Sequence, residues 1–482
     1  MKHLCVLFFC LSAVLCFATA DIQVSYSAAF TGEQIAAFET AVSLWEPLLN
    51  STVPIKINAS WANLPGFTLV TLPNLIRNFA GAPLPNVWYS NALANALTGQ
   101  ELNPGQADCD FIISSNTSNS WYFGQDENCP VNQLDFISEM QKSVAYALGY
   151  QSSFYVQSGY GSYGMLDPSV LGLTPSFPWE AMQNQPSLYD TFVCNLNGQF
   201  LTNTSLFPNP SPALNAQLTS GNLRYQGTYG VQYAGEVQPQ LYASAFNLAR
   251  TARLLGTAYS GTENAPGVPS GMPGQVLRYP APIVLGMLKD QGWNLDLSSL
   301  MPAPFVLFTL SENNLLLNWD EPDSPFTAHS YNITWNGSHY ANSQESFLAV
   351  YNLSPGTHVF TVSSIYSTGE SVPSEPVTVL IPTSVEDEIQ NPAHQMSCAP
   401  NPFRSELQIR FDLKTPEVAH ISVYDLRGRK LKQIFEGQLP QGEHNLAWNG
   451  TNAAGKRLSP GIYLLRLSSG GQETIRKVLL LP

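Results

Sequence analysis

The chain has 482 residues, 21 Lys and Arg against 35 Asp and Glu, and a formal net charge of −14. With 44% apolar and only 12% charged residues it can build proper cores and is not a disordered chain. An isoelectric point near 4.9 argues against nucleic acid and against anionic membrane surfaces as partners. The length suits about two to four domains.

Lys2 and His3 precede a continuous apolar run from Leu4 to Phe17. Ala18-Thr19-Ala20 then places small residues where a signal peptidase reads. The run is short for a bilayer span, so residues 1–20 read as a signal peptide and Asp21 as the mature start. No transmembrane segment is expected once it is removed. Cys5, Cys10 and Cys16 leave with it, and Cys109, Cys129, Cys194 and Cys398 meet an oxidising compartment. Cys109 and Cys129 bracket a polar segment and are expected to pair, which would stabilise the fold by about 3 kcal/mol. Cys194 and Cys398 fall in different expected domains and are expected to stay unpaired. No C-x-x-C occurs, so no zinc site of that kind is expected.

From residue 21 to about 300, helix and strand signals mix. Thr31 followed by Glu33 and Gln34 reads as a capped helix start, and Ile35, Phe38, Val42 and Trp45 continue at helical spacing. Val53–Trp61 alternates like a strand. A second helix is expected from Leu134 to Tyr150, with Ile137, Met140, Val144 and Leu148 as its apolar stripe and Gly149 near its end. A third covers Ile283–Lys289. The segment Gly159-Tyr-Gly-Ser-Tyr-Gly reads as a flexible loop with aromatic plugs, or as a ligand platform. Residues 303–382 change to short alternating strands separated by turns, as in a β-sandwich. Residues 383–397 form a polar linker containing Glu386-Asp-Glu, and residues 398–482 carry six further strand patterns.

Three resemblances follow. Residues 398–482 carry Ala399-Pro-Asn-Pro-Phe, Val423-Tyr-Asp-Leu-Arg-Gly, Gly442 with Leu446 and Trp448, Pro460-Gly-Ile-Tyr-Leu-Leu-Arg-Leu and a closing Arg476-Lys-Val-Leu-Leu-Leu. This pattern resembles the C-terminal sorting domain of proteins exported by the bacterial type IX secretion system. The resemblance implies an Ig-like sandwich, the type IX machinery as partner, and delivery to the medium or outer cell surface of a Gram-negative bacterium. Tyr424, Trp448 and Tyr463 would fill its core, and Gly428, Gly450 and Gly461 would suit tight turns. Residues 303–382 resemble fibronectin type III modules, through Trp319, Tyr331 and the Leu353-Ser-Pro-Gly-Thr turn.

Residues 21–300 are similar to a family of secreted bacterial zinc-metalloprotease-like, metzincin-like domains. The cues are Phe79-Ala-Gly-Ala-Pro-Leu-Pro-Asn-Val-Trp-Tyr, Leu93-Ala-Asn-Ala-Leu, Leu102-Asn-Pro-Gly, Trp121-Tyr-Phe-Gly, Phe207-Pro-Asn-Pro-Ser, Gln217-Leu-Thr-Ser and the run from Pro282 to Trp293. In that family the helix before Leu148-Gly149-Tyr150 carries H-E-x-x-H, two zinc-binding histidines one turn apart with a glutamate base. Here those positions read Lys142, Ser143 and Tyr146, and the third histidine position reads Arg253. The methionine turn reads Pro266-Gly267-Val268-Pro269, with Met272 shortly after. Residues 21–300 contain no histidine at all, so neither a His-based zinc site nor a Ser-His-Asp constellation can arise from them.

The expected fold class is therefore multidomain: an α+β metalloprotease-like domain followed by two all-β Ig-like sandwiches. The expected activity is none, with Lys142, Ser143, Tyr146 and Arg253 as inactive former-site positions in a binding or structural domain. Tyr146 and Lys142, one turn apart, would either hold an extracellular peptide or glycan or simply fill the old zinc space. An extracellular hydrolase with other chemistry, and a purely structural or adhesive surface protein, are the alternatives. No cofactor is expected, except that Asp108 and Asp110, or Asp126 and Glu127, could offer hard oxygen ligands to calcium. His329, His339 and His358 read as ordinary sandwich residues rather than as metal ligands.

Overall fold

The computed structural model describes residues 19–480 apart from 65, 117–120, 165–172, 178–183, 244–245, 248–250, 261, 263, 269–272, 323, 383–395, 402, 426–428 and 460. The hydrophobic stretch of the expected signal peptide, most of the expected linker, Gly428 and Met272 lie outside the described residues. The chain divides into two compact units, Met1–Ser299 and Leu300–Pro482. Among the described residues no helix is long and apolar enough to cross a membrane.

The first unit is built on a four-stranded mixed sheet. Strands of three or more residues are numbered in chain order. Here β1 is Ile22–Tyr26, β2 Ile55–Ala62, β3 Leu69–Pro73 and β4 Cys109–Ser114, in spatial order β1-β2-β4-β3. The first three of that order run parallel, and β3 closes the edge antiparallel to β4. All six residues of β4 are buried, so it shows no alternation and could not be read from the sequence.

Helix α1, Gly32–Ser43, starts at the expected Thr31 with both halves of a capping box in place. Its Phe38 packs against Phe111 of β4 and against Phe136. Helix α2, Asn91–Thr98, was not expected; Ser90 caps it and Gly99 ends it in the left-handed region. The expected second helix is α3, Phe136–Ala147. The glycine-tyrosine segment is no loose loop. It lies in a hairpin of β5, Phe154–Gln157, and β6, Tyr160–Tyr163, with Tyr163 buried. A Cβ on Gly161 would stand 2.3 Å from Asn215 N at α4, Pro212–Leu218, so only glycine permits that approach. Short α5, Thr228–Gln232, packs on the expected third helix, α6, Pro282–Asp290.

The two ends of the first unit meet. Asn50 N donates to Asn294 O and Asp296 N to Leu48 O, around a bridge between Leu49 and Leu295. Trp45 Nε1 donates to Gln141 O, and Trp293 Nε1 to Leu148 O, so α3 is held by indoles from both ends of the segment.

The second unit carries two β-sandwiches. In the first, β7 (Val306–Ser311), β8 (Asn314–Trp319) and β11 (Phe347–Val350) make one sheet. The other has β9 (Ser330–Trp335) between β10 (Ser338–Ser343) and β12 (Gly356–Tyr366), with β13 (Val377–Ile381) also on β12. Leu315, Leu317, Trp319, Tyr331, Ile333 and Phe360 fill the space between. In the second sandwich, β14 (Ser397–Ala399), β15 (Leu407–Leu413) and β18 (Gly442–Trp448) face a sheet of order β17-β16-β19-β20. Those four are β16 (Glu417–Tyr424), β17 (Lys430–Leu439), β19 (Gly461–Ser469) and β20 (Gln472–Leu480). Trp448 and Tyr463 lie in its core as expected, whereas Tyr424 is half-buried and lies outside it. Gly450 takes a left-handed turn conformation; Gly461 instead begins β19.

Candidate functional site

Helix α3 carries Lys142, Ser143 and Tyr146, three of the four positions singled out in the sequence. Asp135 caps it, accepting from Ser138 N at 2.7 Å, and also accepts from Arg278 Nη2 at 3.0 Å. Gln141 Nε2 donates to Leu277 O and Tyr279 O at 2.9 and 3.0 Å, which ties the helix to the strip before α6. Gly149, at a φ of 115°, lets the chain leave the helix.

The structure brings three of the four positions close together. Lys142 faces a narrow cleft together with Tyr146, Trp45, Tyr150 and Pro266. Its ammonium donates to Glu139 Oε1 at 2.9 Å, and the pair is largely shielded from water. Tyr146 lies within reach of the Arg253 charge; burial nevertheless pushes its phenol well above the ordinary value. Burial also lowers Arg253 from its ordinary range, against the opposing influence of Tyr146 and Asp190. Ser143 is buried on another side of the helix and donates to Glu139 O at 3.1 Å. The room left in the cleft is about 10 Å³, roughly one water.

Zinc does not fit this set. Two of the positions present cations, the third a phenol held protonated by burial, and Ser143 cannot serve as a general base.

Residues that the sequence reading missed surround the cleft. Tyr150 stacks on Tyr146 with ring centroids 5.8 Å apart, and Tyr189 meets Tyr150 edge-on at 5.5 Å. Behind them Asp190 is fully buried, and it accepts from the hydroxyls of Ser152 and Ser153 and from the backbone N–H groups of Ser153 and Ser187. Burial raises its carboxyl above the usual range despite those donors. Glu139 was visible as the i−3 neighbour of Lys142. Tyr189 and Asp190 come from a short 3-10 helix, Tyr189–Phe192, far along the chain, and no local signal marks them.

Three of the four acidic candidates accept from protein donors. Asp108 Oδ1 accepts from Asn91 and Asn95 Nδ2 at 2.6 and 3.2 Å, and its Oδ2 from Lys56 N at 2.7 Å. Desolvation pushes Asp108 up to about 6. Asp110 is bonded by Ser176 N and Oγ. Asp126 accepts from the Tyr122 hydroxyl, which pulls the carboxyl down, and Glu127 is exposed. Among the described residues no three His, Cys, Asp or Glu side chains are grouped to hold a metal.

The expected disulfide is not formed: Cys109 and Cys129 are both free thiols. Cys109 opens β4, while Cys129 lies near Asp135 and Arg278, at the start of α3. That region adjoins the far end of the strand, where Trp61 is in register with Ile113 and stacks on Phe136. Cys109 and Ile113 are about 13 Å apart along β4, well beyond disulfide reach. Cys194 and Cys398 are free as well. The sandwich histidines have ordinary partners. His358 accepts from Trp335 Nε1 at 3.1 Å, and His339 bonds Asn332.

Residues 403–473 match the family described as the FlgD Ig-like domain. No curated protein matches the chain. Among solved structures the chain resembles dimeric latent PorU from Porphyromonas gingivalis, at 14% identity over 37% of this chain and 20% of that one, with a TM-score of 0.18. It also resembles the central fibronectin-III array of RIM-binding protein, at 12% identity over 38% of this chain and 69% of that one (TM-score 0.16). The twitchin kinase region from C. elegans aligns at 24% identity over 17% of each chain (TM-score 0.16). The chain thus spans about a fifth of the PorU and twitchin chains. TM-scores this low assign neither a whole-chain fold nor a function. The chain is multidomain and β-rich, with an Ig-like match in its C-terminal part.

Proposed function

We propose that this is a secreted or cell-surface protein whose first unit is a protease-like scaffold without catalytic activity, serving a binding or structural role. The observation that carries the reading is the filled cleft. Lys142 and Tyr146 project from α3 at the positions where a metalloprotease of this kind would hold zinc. The Arg253 charge reaches Tyr146, and the remaining space is about 10 Å³. The Ig-like sandwiches of the second unit support a structural or adhesive role. The sequence pattern of residues 398–482 supports reading them as a type IX sorting domain.

The test is metal content and proteolysis of the purified first unit. It should carry no stoichiometric zinc and cleave no protein substrate. One retained zinc per chain, with proteolysis lost on chelation, would refute the reading. Removal of residues 398–482 should leave the protein in the periplasm of its host; normal delivery of the truncated chain would refute the sorting role.

A further inference from the structure

Charge is spread unevenly along the second unit. Residues 303–382 hold seven Asp and Glu and no Lys or Arg. Residues 398–482 hold twelve Lys and Arg against seven Asp and Glu, a net +5 in a chain of net charge −14. An acidic sandwich is followed by a basic one.

Part of the basic excess gathers at one turn. The segment after β18 is tied to β17, with Ala453 N donating to Leu431 O at 2.9 Å. Lys432 Nζ donates to Thr451 Oγ1 at 2.7 Å and Arg457 Nη1 to Asn449 O at 3.0 Å, so an ammonium and a guanidinium share that turn. Lys456 is exposed beside Arg457. Lys430, two residues before Lys432, donates to the Gln433 carboxamide at 2.7 Å. Nearby acids are engaged elsewhere: Asp425 pairs with Arg429, and Glu436 meets Gln433 and His420. The other pairs of this sandwich use Lys414 and Arg466. Among the described residues Lys430, Lys432, Lys456 and Arg457 enter no ion pair, so the patch keeps its charge.

The first sandwich offers the opposite charge. Trp319 N donates to Ser346 O at 2.9 Å, which sets the loop after β8 beside the one before β11. Asp320 and Glu321 on the one and Glu345 on the other are exposed, and their own module has no Lys or Arg to answer them. Among the described residues no ion pair reaches these three or joins the two sandwiches.

We propose that copies of this chain associate head to tail, the basic turn of one (Lys430, Lys432, Lys456, Arg457) against Asp320, Glu321 and Glu345 of the next. The contact joins two different surfaces, so each added copy leaves one patch open and a series of oligomers forms. At about 0.15 M salt the screening length is about 8 Å, so facing patches attract at contact range while the like net charges of two copies are largely screened. The inference goes beyond the role proposed above and holds whether or not the first unit is a former protease.

Sedimentation velocity of the chain from Asp21 onward, over a concentration series, tests it. The sedimentation coefficient should climb with concentration at about 0.15 M salt, and association should weaken roughly tenfold or more at about 1 M. Lys430→Glu with Lys456→Glu should give a monomer, and so should Asp320→Lys with Glu321→Lys. All four side chains are exposed, so neither pair of changes disturbs a core. Each double variant keeps one intact patch, the opposite one in each case. Mixed together, they should form a one-to-one pair and nothing larger. A wild type that stays monomeric at every concentration, association indifferent to salt or to either charge reversal, or a mixture that stays monomeric would each overturn the proposal.

Discussion

Asp108 shows how a single buried carboxylate makes stability pH-dependent. Its folded pKa of about 6 lies above the ordinary 3.8, because burial outweighs the donors from Asn91, Asn95 and Lys56. The folded state therefore holds the proton more tightly than the unfolded chain. The stabilisation is fully present below about pH 4 and is lost as pH rises through 6. Relative to Asp108→Asn, the wild type should lose on the order of 3 kcal/mol between pH 4 and 7. Denaturant melts at each pH measure this, and a constant difference would contradict it. At this scale helical spacing does show that Lys142 and Tyr146, one turn apart, share a face of α3. The sequence reading misjudged Cys109 and Cys129, because sequence separation says nothing about which end of a strand each occupies. Four free thiols are expected in the denatured, unreduced protein. In the native fold Cys109 and Cys194 should react slowest, since both are fully buried and burial raises both thiols. A crosslinked peptide containing Cys109 and Cys129 in mass spectra would contradict this.

Among the elements, α3 depends on Asp135 more than on its own propensity. The carboxylate is fully shielded, caps the helix and pairs with Arg278. Asp135→Ala removes a cap and leaves a guanidinium without its partner, for a loss of about 3–5 kcal/mol. Asp135→Asn keeps an accepting oxygen for Ser138 N and should cost less. Equal losses in urea denaturation would show that the charge pair contributes nothing beyond the cap. The sandwich strands were legible because one face is wet. Leu407–Leu413 alternates buried and more exposed positions along its whole length. β4 is buried on both faces, and α2 and α4 are too short to show periodicity, so these were missed.

For the whole molecule, the change in composition near residue 300 was readable because it marks a change from mixed helix and strand to alternating strand. The sequence could not show that the first unit closes on itself. Leu48–Asn50 pair with Asn294–Asp296, and Trp293 bonds the end of α3. This closure sets an order in time. As the chain emerges from the N-terminus, the strand that follows Asn50 waits for residues about 245 positions later, and the end of α3 waits for Trp293, 145 positions after Leu148. Such distant contacts are slow to form, and until they do Leu48–Asn50 and the end of α3 lack the hydrogen bonds that the closing segment brings. A chain released at residue 290 should therefore stay partly unfolded and protease-sensitive, while one released at 299 should become resistant. Equal resistance of the two in a timed proteolysis assay would show that the closing segment arrives after the fold is already made.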